Sequence, residues 1–121
     1  MGQAHAARTL TRSERIRTRP EFLRIQQGGV RTRGRYMTLI SQPSGRTESR
    51  LGIVATRRFG NAVQRNHSKR RVRELFRHHK PAEVLDLVVL PRREFLNAHF
   101  ASLLDDYLRT LHRQVRAHHS G

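Results

Sequence analysis

The sequence contains no cysteine, which excludes disulfide staples, zinc ribbons and thiol nucleophiles and removes any need for an oxidising compartment. Acids are also scarce. Nine Asp and Glu are scattered over 121 residues, whereas a protein metal nuclease needs carboxylates converging on two divalent ions, so no catalytic side chain is expected. Long apolar runs are missing as well: the longest aliphatic stretch, residues 87–90, falls far short of the ~18 apolar residues that a membrane span needs. The N-terminus carries no signal-peptide core, and Ala6 stands where a myristoylation signal wants Ser or Thr. The expectation is a soluble, cytoplasmic protein without membrane contact.

What the chain has instead is positive charge. Lys and Arg number 25, the net charge is +16, and all but two of the 25 are arginine. A compact state with that balance repels itself unless an anion screens it, which makes nucleic acid the default partner. Arginine suits such a partner, because its planar fork pairs with phosphate and with guanine edges and stacks on bases. The length fits one domain with a single modest core.

The charge concentrates in residues 60–80, GNAVQRNHSKRRVRELFRHHK, where it coincides with a helix pattern. At about 100° per residue, Ser68, Val72, Leu75, Phe76 and His79 share one side, and Asn66, Lys69, Arg70, Arg73, Arg77 and Lys80 share an arc about 130° away. Asn61 and Gln64 have the spacing of a capping box, and Pro81 ends the helix. A merely solvated helix face interleaves acids at i+4 to relieve repulsion. Here Glu74 is the single acid, outside the arc, so the face is expected to serve a polyanion over a length on the order of 20 Å.

Around that helix the chain reads in order. Residues 1–18 carry arginines and almost no apolar periodicity, which suits an arm ordered mainly by its partner, with Ile16 as its one anchor. A first helix is expected over residues 20–27, bearing Phe22, Ile25 and Leu23 on its buried or half-buried side, with Thr18 and Glu21 at capping-box spacing and Gly28 and Gly29 as its stop. Strands are expected over residues 30–33, 36–41 and 50–56, the last two joined by a hairpin loop, and then an interior strand over 84–90. Strand, helix and strand in succession imply a parallel crossover. Arg57 and Arg58 form a second basic point just before the central helix. A final amphipathic helix over 97–115 presents Phe100, Leu103, Leu104, Tyr107, Leu108, Leu111 and Val115 as core. One domain over residues 19–117 and a flexible tail over 118–121 complete the expected organisation.

The stretch LGIVATRRFGNAVQRNHSKRRVRELFR resembles the signature of the bacterial ribonuclease P protein component family, and the order of elements resembles that family along nearly the whole chain. The resemblance implies an α+β fold, an α/β sandwich of about four mixed strands and three helices in the order αβββαβα. It also implies a left-handed βαβ crossover, as in the second domain of a small-subunit ribosomal protein, where general statistics favour the right-handed form. It implies a subunit of an endonuclease in which a catalytic RNA, using Mg2+ held mainly by that RNA, removes the 5′ leader of precursor tRNA. The protein's partners would be the catalytic RNA and the leader, with no obligate protein partner.

By position, the resemblance assigns Arg57, Arg58, Arg65, Asn66, His67, Lys69, Arg70, Arg73 and Arg77 to the catalytic RNA and the cleavage-site region. It assigns Phe22, Tyr36, Arg15 and Arg17 to a cleft between the first helix and the sheet that holds the single-stranded leader. Stacking on aromatics tolerates any base, as a processor of many tRNAs requires. His67 replaces a usual arginine, and Gln26 and Leu39 replace frequent aromatics, which points to a cleft that grips less by stacking and more by charge.

Other readings stay open on the residues alone. A ribosomal protein or an RNA chaperone would show similar charge. His67 and His78 project to one side of the central helix, where a metal site competes with plain surface histidines beside a polyanion. Phe22 fits a core position as well as a stacking platform. A helix-turn-helix reader is disfavoured, because strands flank the basic helix. The acids read as local charge partners: Asp105 and Asp106 for Arg109, Glu21 for Arg24, and Glu83 beside the helix stop.

Overall fold

The structure is a computed structural model that describes residues 10–120, so the first half of the expected arm lies outside the described residues. Seven main elements follow in the expected order: helix α1 (Arg19–Gly28), strands β1 (Val30–Arg33), β2 (Met37–Pro43) and β3 (Arg50–Ile53), helix α2 (Ala62–His78), strand β4 (Leu85–Pro91) and helix α3 (Phe100–Ser120). Short 3-10 turns occupy Arg12–Glu14 and Arg93–Asn97. The strands form one mixed sheet in the order β1-β2-β4-β3, antiparallel except for the parallel pair of β3 and β4 that α2 connects.

The helix starts follow the side chains that satisfy their orphan N–H groups. Thr18 is the α1 cap: its hydroxyl accepts from Glu21 N, and the Glu21 carboxylate returns to Thr18, with Pro20 inside the first turn. At α2, Asn61 Oδ1 accepts from Gln64 N at 2.8 Å and Gln64 Oε1 accepts from Asn61 N at 2.8 Å. These two reciprocal boxes hold both helices at fixed entries to the sheet.

Alternation along β2 and β4 divides the core. Met37, Leu39, Leu87 and Val89 meet Val72, Leu75 and Phe76 of α2 and Leu103, Tyr107 and Leu111 of α3 on one face. Ile40 and Val88 meet Ile25 of α1 and Ile16 of the preceding segment on the other. β4 is buried on both sides, as its near-continuous apolar run requires. Its one charge, Asp86, is matched by Arg50, whose Nε and Nη2 donate to the two carboxylate oxygens at 2.9 Å each.

Several elements depart from expectation for identifiable reasons. Residues 10–18 are docked rather than partner-ordered: Leu10 and Ile16 are buried, Ile16 N donates to Leu51 O at 2.9 Å, and the Glu14 carboxylate pairs with Lys80. Strand β3 stops at Ile53 because after Val54, which still donates to Val89 O, the chain turns through Arg57 and Arg58 towards α2. Helix α3 starts later than expected, since the Arg93–Asn97 turn precedes it, and runs to Ser120 instead of yielding to a tail after residue 117. Its end is tied to the sheet: Gln114 Nε2 donates to Leu39 O, Ser41 bonds both Gln114 and His118, and His119 meets Glu83. Glu21 pairs with Arg50 at 2.8 Å across the α1 and sheet interface, not with Arg24.

Candidate nucleic-acid interface

Helix α2 lies on the β3 side of the sheet with Ser68, Val72, Leu75 and Phe76 buried beneath it, so the arc opposite that stripe is left to solvent. Asn66, His67, Arg70 and Arg73 are exposed, and Arg65, Lys69 and Arg77 are half-buried. Among the described residues, Arg57, Arg58, Lys69, Arg70 and Arg73 have no carboxylate within ion-pairing distance. The crowding of like charge is visible at Arg73. Its guanidinium is held below its usual pKa, first by partial burial and then by the positive charges of Arg15 and Arg70.

The arc is narrower than helical projection indicates. Arg77 donates to Glu74 at 2.6 Å, His78 lies 3.4 Å from the same carboxylate, and Lys80 reaches across to Glu14. Burial works to raise the Glu14 carboxyl, but Lys80 and the Thr11 N–H and hydroxyl outweigh it and leave the group below its usual range. Two of the five cations on the projected arc are therefore neutralised, which leaves Lys69, Arg70 and Arg73 as its free charge. Arg65 donates to Gly60 O at 2.8 Å and steadies the turn that enters the helix. His67 is exposed, about three turns of helix before His78, which faces Glu74.

A cleft of about 220 Å³ adjoins this face. It is lined by the Phe22 ring, by Gly52 of β3, by Arg15 and Arg17 of the segment before α1, and by Lys69 and Arg73 of α2. Gly52 is there because nothing larger fits: a Cβ at that position would stand 2.6 Å from the Phe22 ring. The Phe22 ring is half-buried and lines this cleft and the wider depression beside it, so it is partly core and partly open surface. Cation, aromatic and cation in sequence across one groove give a surface that takes phosphates at the rims and a base on the ring.

The structure does not bring Tyr36 to that cleft. Tyr36 precedes β2, donates its backbone N–H to Asp106 at 2.8 Å, and packs against the larger core cluster beside α3, with the Arg35 guanidinium 5.3 Å above its ring. The Asp106 carboxylate that draws it there also accepts from Arg35 N, while Asp105 pairs with Arg109. Leu39 is fully buried in the same cluster, so its lack of a ring does not alter the cleft, whereas Gln26 borders the adjoining depression. Sequence reasoning missed Gly52, whose signal was an isolated glycine within a strand pattern.

Among the described residues, no three His, Asp or Glu converge on a point that could hold a metal ion. The acids are engaged elsewhere, by Arg50, Lys80, Arg77, Arg109, His119 and backbone N–H groups. No described helix is long and apolar enough to cross a membrane.

Comparison with known proteins bears on the same surface. A family model described as Ribonuclease P matches residues 10–115. The ribonuclease P protein component of Thermotoga sp. (strain RQ2) is 39% identical over 111 residues, covering 87% of this chain and 95% of the relative. The solved RNase P protein from Thermotoga maritima superposes with a TM-score of 0.76 at 37% identity, covering 83% of this chain and 96% of that one. The Staphylococcus aureus RNase P protein gives 0.72 at 27% identity, with coverage of 81% and 92%.

Proposed function

The chain belongs to the ribonuclease P protein component family, and from that premise we propose that it grips two RNAs with one continuous surface: the catalytic RNA through α2 and the 5′ leader of precursor tRNA through the Phe22 cleft. The observation that carries this reading is the junction between the two. Lys69 and Arg73 belong to the free face of α2 and also line the cleft, so an RNA held on the helix and a strand lying over Phe22 are brought side by side.

In this reading the protein positions and the RNA cuts. Arg57, Arg58, Lys69, Arg70 and Arg73 neutralise phosphates that otherwise repel one another when two polyanions meet, with the neutral Asn66 amide as a hydrogen-bond donor among them, which lowers the magnesium needed to hold substrate on the ribozyme. Magnesium is held by the RNA and supplies the hydrolytic chemistry; no step is routed through a metal on the protein. Arg77 contributes to the helix rather than to the RNA, because its charge is met by Glu74. Bacterial relatives and a basic, cysteine-free chain fit work in the cytoplasm.

Reconstitution tests the proposal. Purified protein added to a bacterial ribonuclease P RNA at low magnesium is expected to stimulate precursor-tRNA cleavage at the mature 5′ end. Equal cleavage with and without protein, across a range of magnesium concentrations, would leave a general RNA-binding role in its place.

A further inference from the structure

The Phe22 cleft is the middle of a longer groove that follows β3. At the C-terminal end of the strand a depression of about 420 Å³ runs beside Val54 and Ala55. At the N-terminal end a larger recess of about 610 Å³ opens above Arg50. Arg17 lines all three sections, and Arg15 lines both the cleft and the recess. The three hollows therefore adjoin one another along the segment before α1.

The recess differs in chemistry from the cleft. Its walls are Arg12, Arg15 and Arg17 from the segment before α1 and Arg46 from the loop between β2 and β3, and no aromatic ring lines it. Arg50 and Glu21 line it as well; with Asp86 they form a cluster of one guanidinium and two carboxylates, so Arg50 offers no free positive charge there. The four wall arginines are exposed, and among the described residues none has a carboxylate within ion-pairing distance. The two walls are also braced together, since Ser13 donates to Glu48 across the mouth. Four free guanidinium groups around a hollow without a stacking surface suit backbone phosphates rather than bases.

We propose that this arginine recess is a distal subsite for the leader, holding the phosphates of nucleotides farther from the cut than those over Phe22. The inference rests on the leader-gripping role proposed above. Its direction follows from the chain: β3 leads from Arg50 through Gly52 to Ile53, and the chain then passes through Ala55, Arg57 and Arg58 into the N-terminus of α2, on the helix assigned to the catalytic RNA. The recess is at the opposite end of β3, about 10 Å of strand away. A short leader ends before reaching it, and a longer one enters it, so Arg12 and Arg46 make affinity depend on leader length.

The test is a series of precursor tRNAs whose leaders are shortened one nucleotide at a time, bound to holoenzyme carrying parent protein, Arg12→Ala/Arg46→Ala protein, or Phe22→Ala protein. The variant-to-parent ratio of Kd for the arginine pair is expected to rise with leader length to about fivefold and to collapse at high salt, as exposed ion pairs do. A ratio that stays flat along the series, whether at one or above it, overturns the distal subsite. The leader-gripping role is judged separately in the same experiment. If Phe22→Ala costs the same with and without any leader, that role fails; if Phe22→Ala is leader-dependent while the arginine pair is flat, only the distal subsite fails.

Discussion

Arg50 and the Lys69, Arg70 and Arg73 group use the same charge for opposite ends. Arg50 sits 4% exposed between β4 and α1, with three donors placed on Asp86 and Glu21. Lys69, Arg70 and Arg73 sit on the free face of α2 with no acid within reach among the described residues. What separates the two is the placement of nine carboxylates, not the placement of 25 cations. Wherever a carboxylate meets a cation, as at Arg50, Arg77, Lys80 and Arg109, the pair ties elements together or steadies one helix. Where carboxylates are withheld, the cations stay unpaired, and this is the surface proposed to bind RNA.

The sharpest way to break that comparison is to remove the buried cation. Arg50→Met leaves Asp86 buried without its partner, which costs about 3–5 kcal/mol, measured as a loss of unfolding free energy in urea. Arg50→Met/Asp86→Leu should recover much of that loss, since both charges then leave the interior together. A stability unchanged by Arg50→Met would mean that the Asp86–Arg50–Glu21 cluster does not hold β4, β3 and α1 together.

Next in size is Phe22→Ala. Loss of a stacking ring is expected to weaken binding of leader-bearing precursor by about 1–3 kcal/mol while sparing mature tRNA. Equal weakening for both would make Phe22 a core residue alone, and a lowered melting temperature would accompany it. A smaller effect distinguishes the paired from the unpaired region by pH. The Arg50 guanidinium draws the Glu21 carboxyl down to about 2 from 4.5, against the opposing effect of burial and with help from Thr18. A lowered folded pKa contributes stability that is complete above 4.5 and is lost as pH falls from 4.5 towards 2. Glu21→Gln should flatten that part of the stability profile; an unaltered profile would contradict the assignment.

Much of this was legible in the sequence because the signals were local. Caps at Thr18 and Asn61, the apolar stripe of α2 and the core face of α3, except for its exposed Phe100 and Leu108, each follow from residues a few positions apart, and the parallel β3 and β4 pair follows from the order of the elements. What could not be read depended on long-range partners. Glu14 and Lys80 are separated by 66 positions, and Glu21 and Arg50 by 29, so nothing local revealed that one would narrow the basic arc and the other would bind α1 to the sheet. Tyr36 is a further case. The resemblance assigned it to the leader cleft, but Asp106, 70 residues away, holds the turn before β2 against α3. The docked segment from Leu10 to Ile16 was hidden because a few spaced apolar residues make no period, yet they fill the gap beside β3.

The central claim is that the unpaired face of α2 binds RNA phosphates, and the measurement closest to it is the salt dependence of binding to the catalytic RNA. For Lys69→Ala/Arg70→Ala/Arg73→Ala against the parent, the slope of log K against log salt is expected to fall by about two units, with affinity reduced at low salt. Unfolding free energy should hold or rise, because the repulsion among Arg15, Arg70 and Arg73 is relieved. An unchanged slope in a folded triple variant would remove this face from the interface and contradict the account.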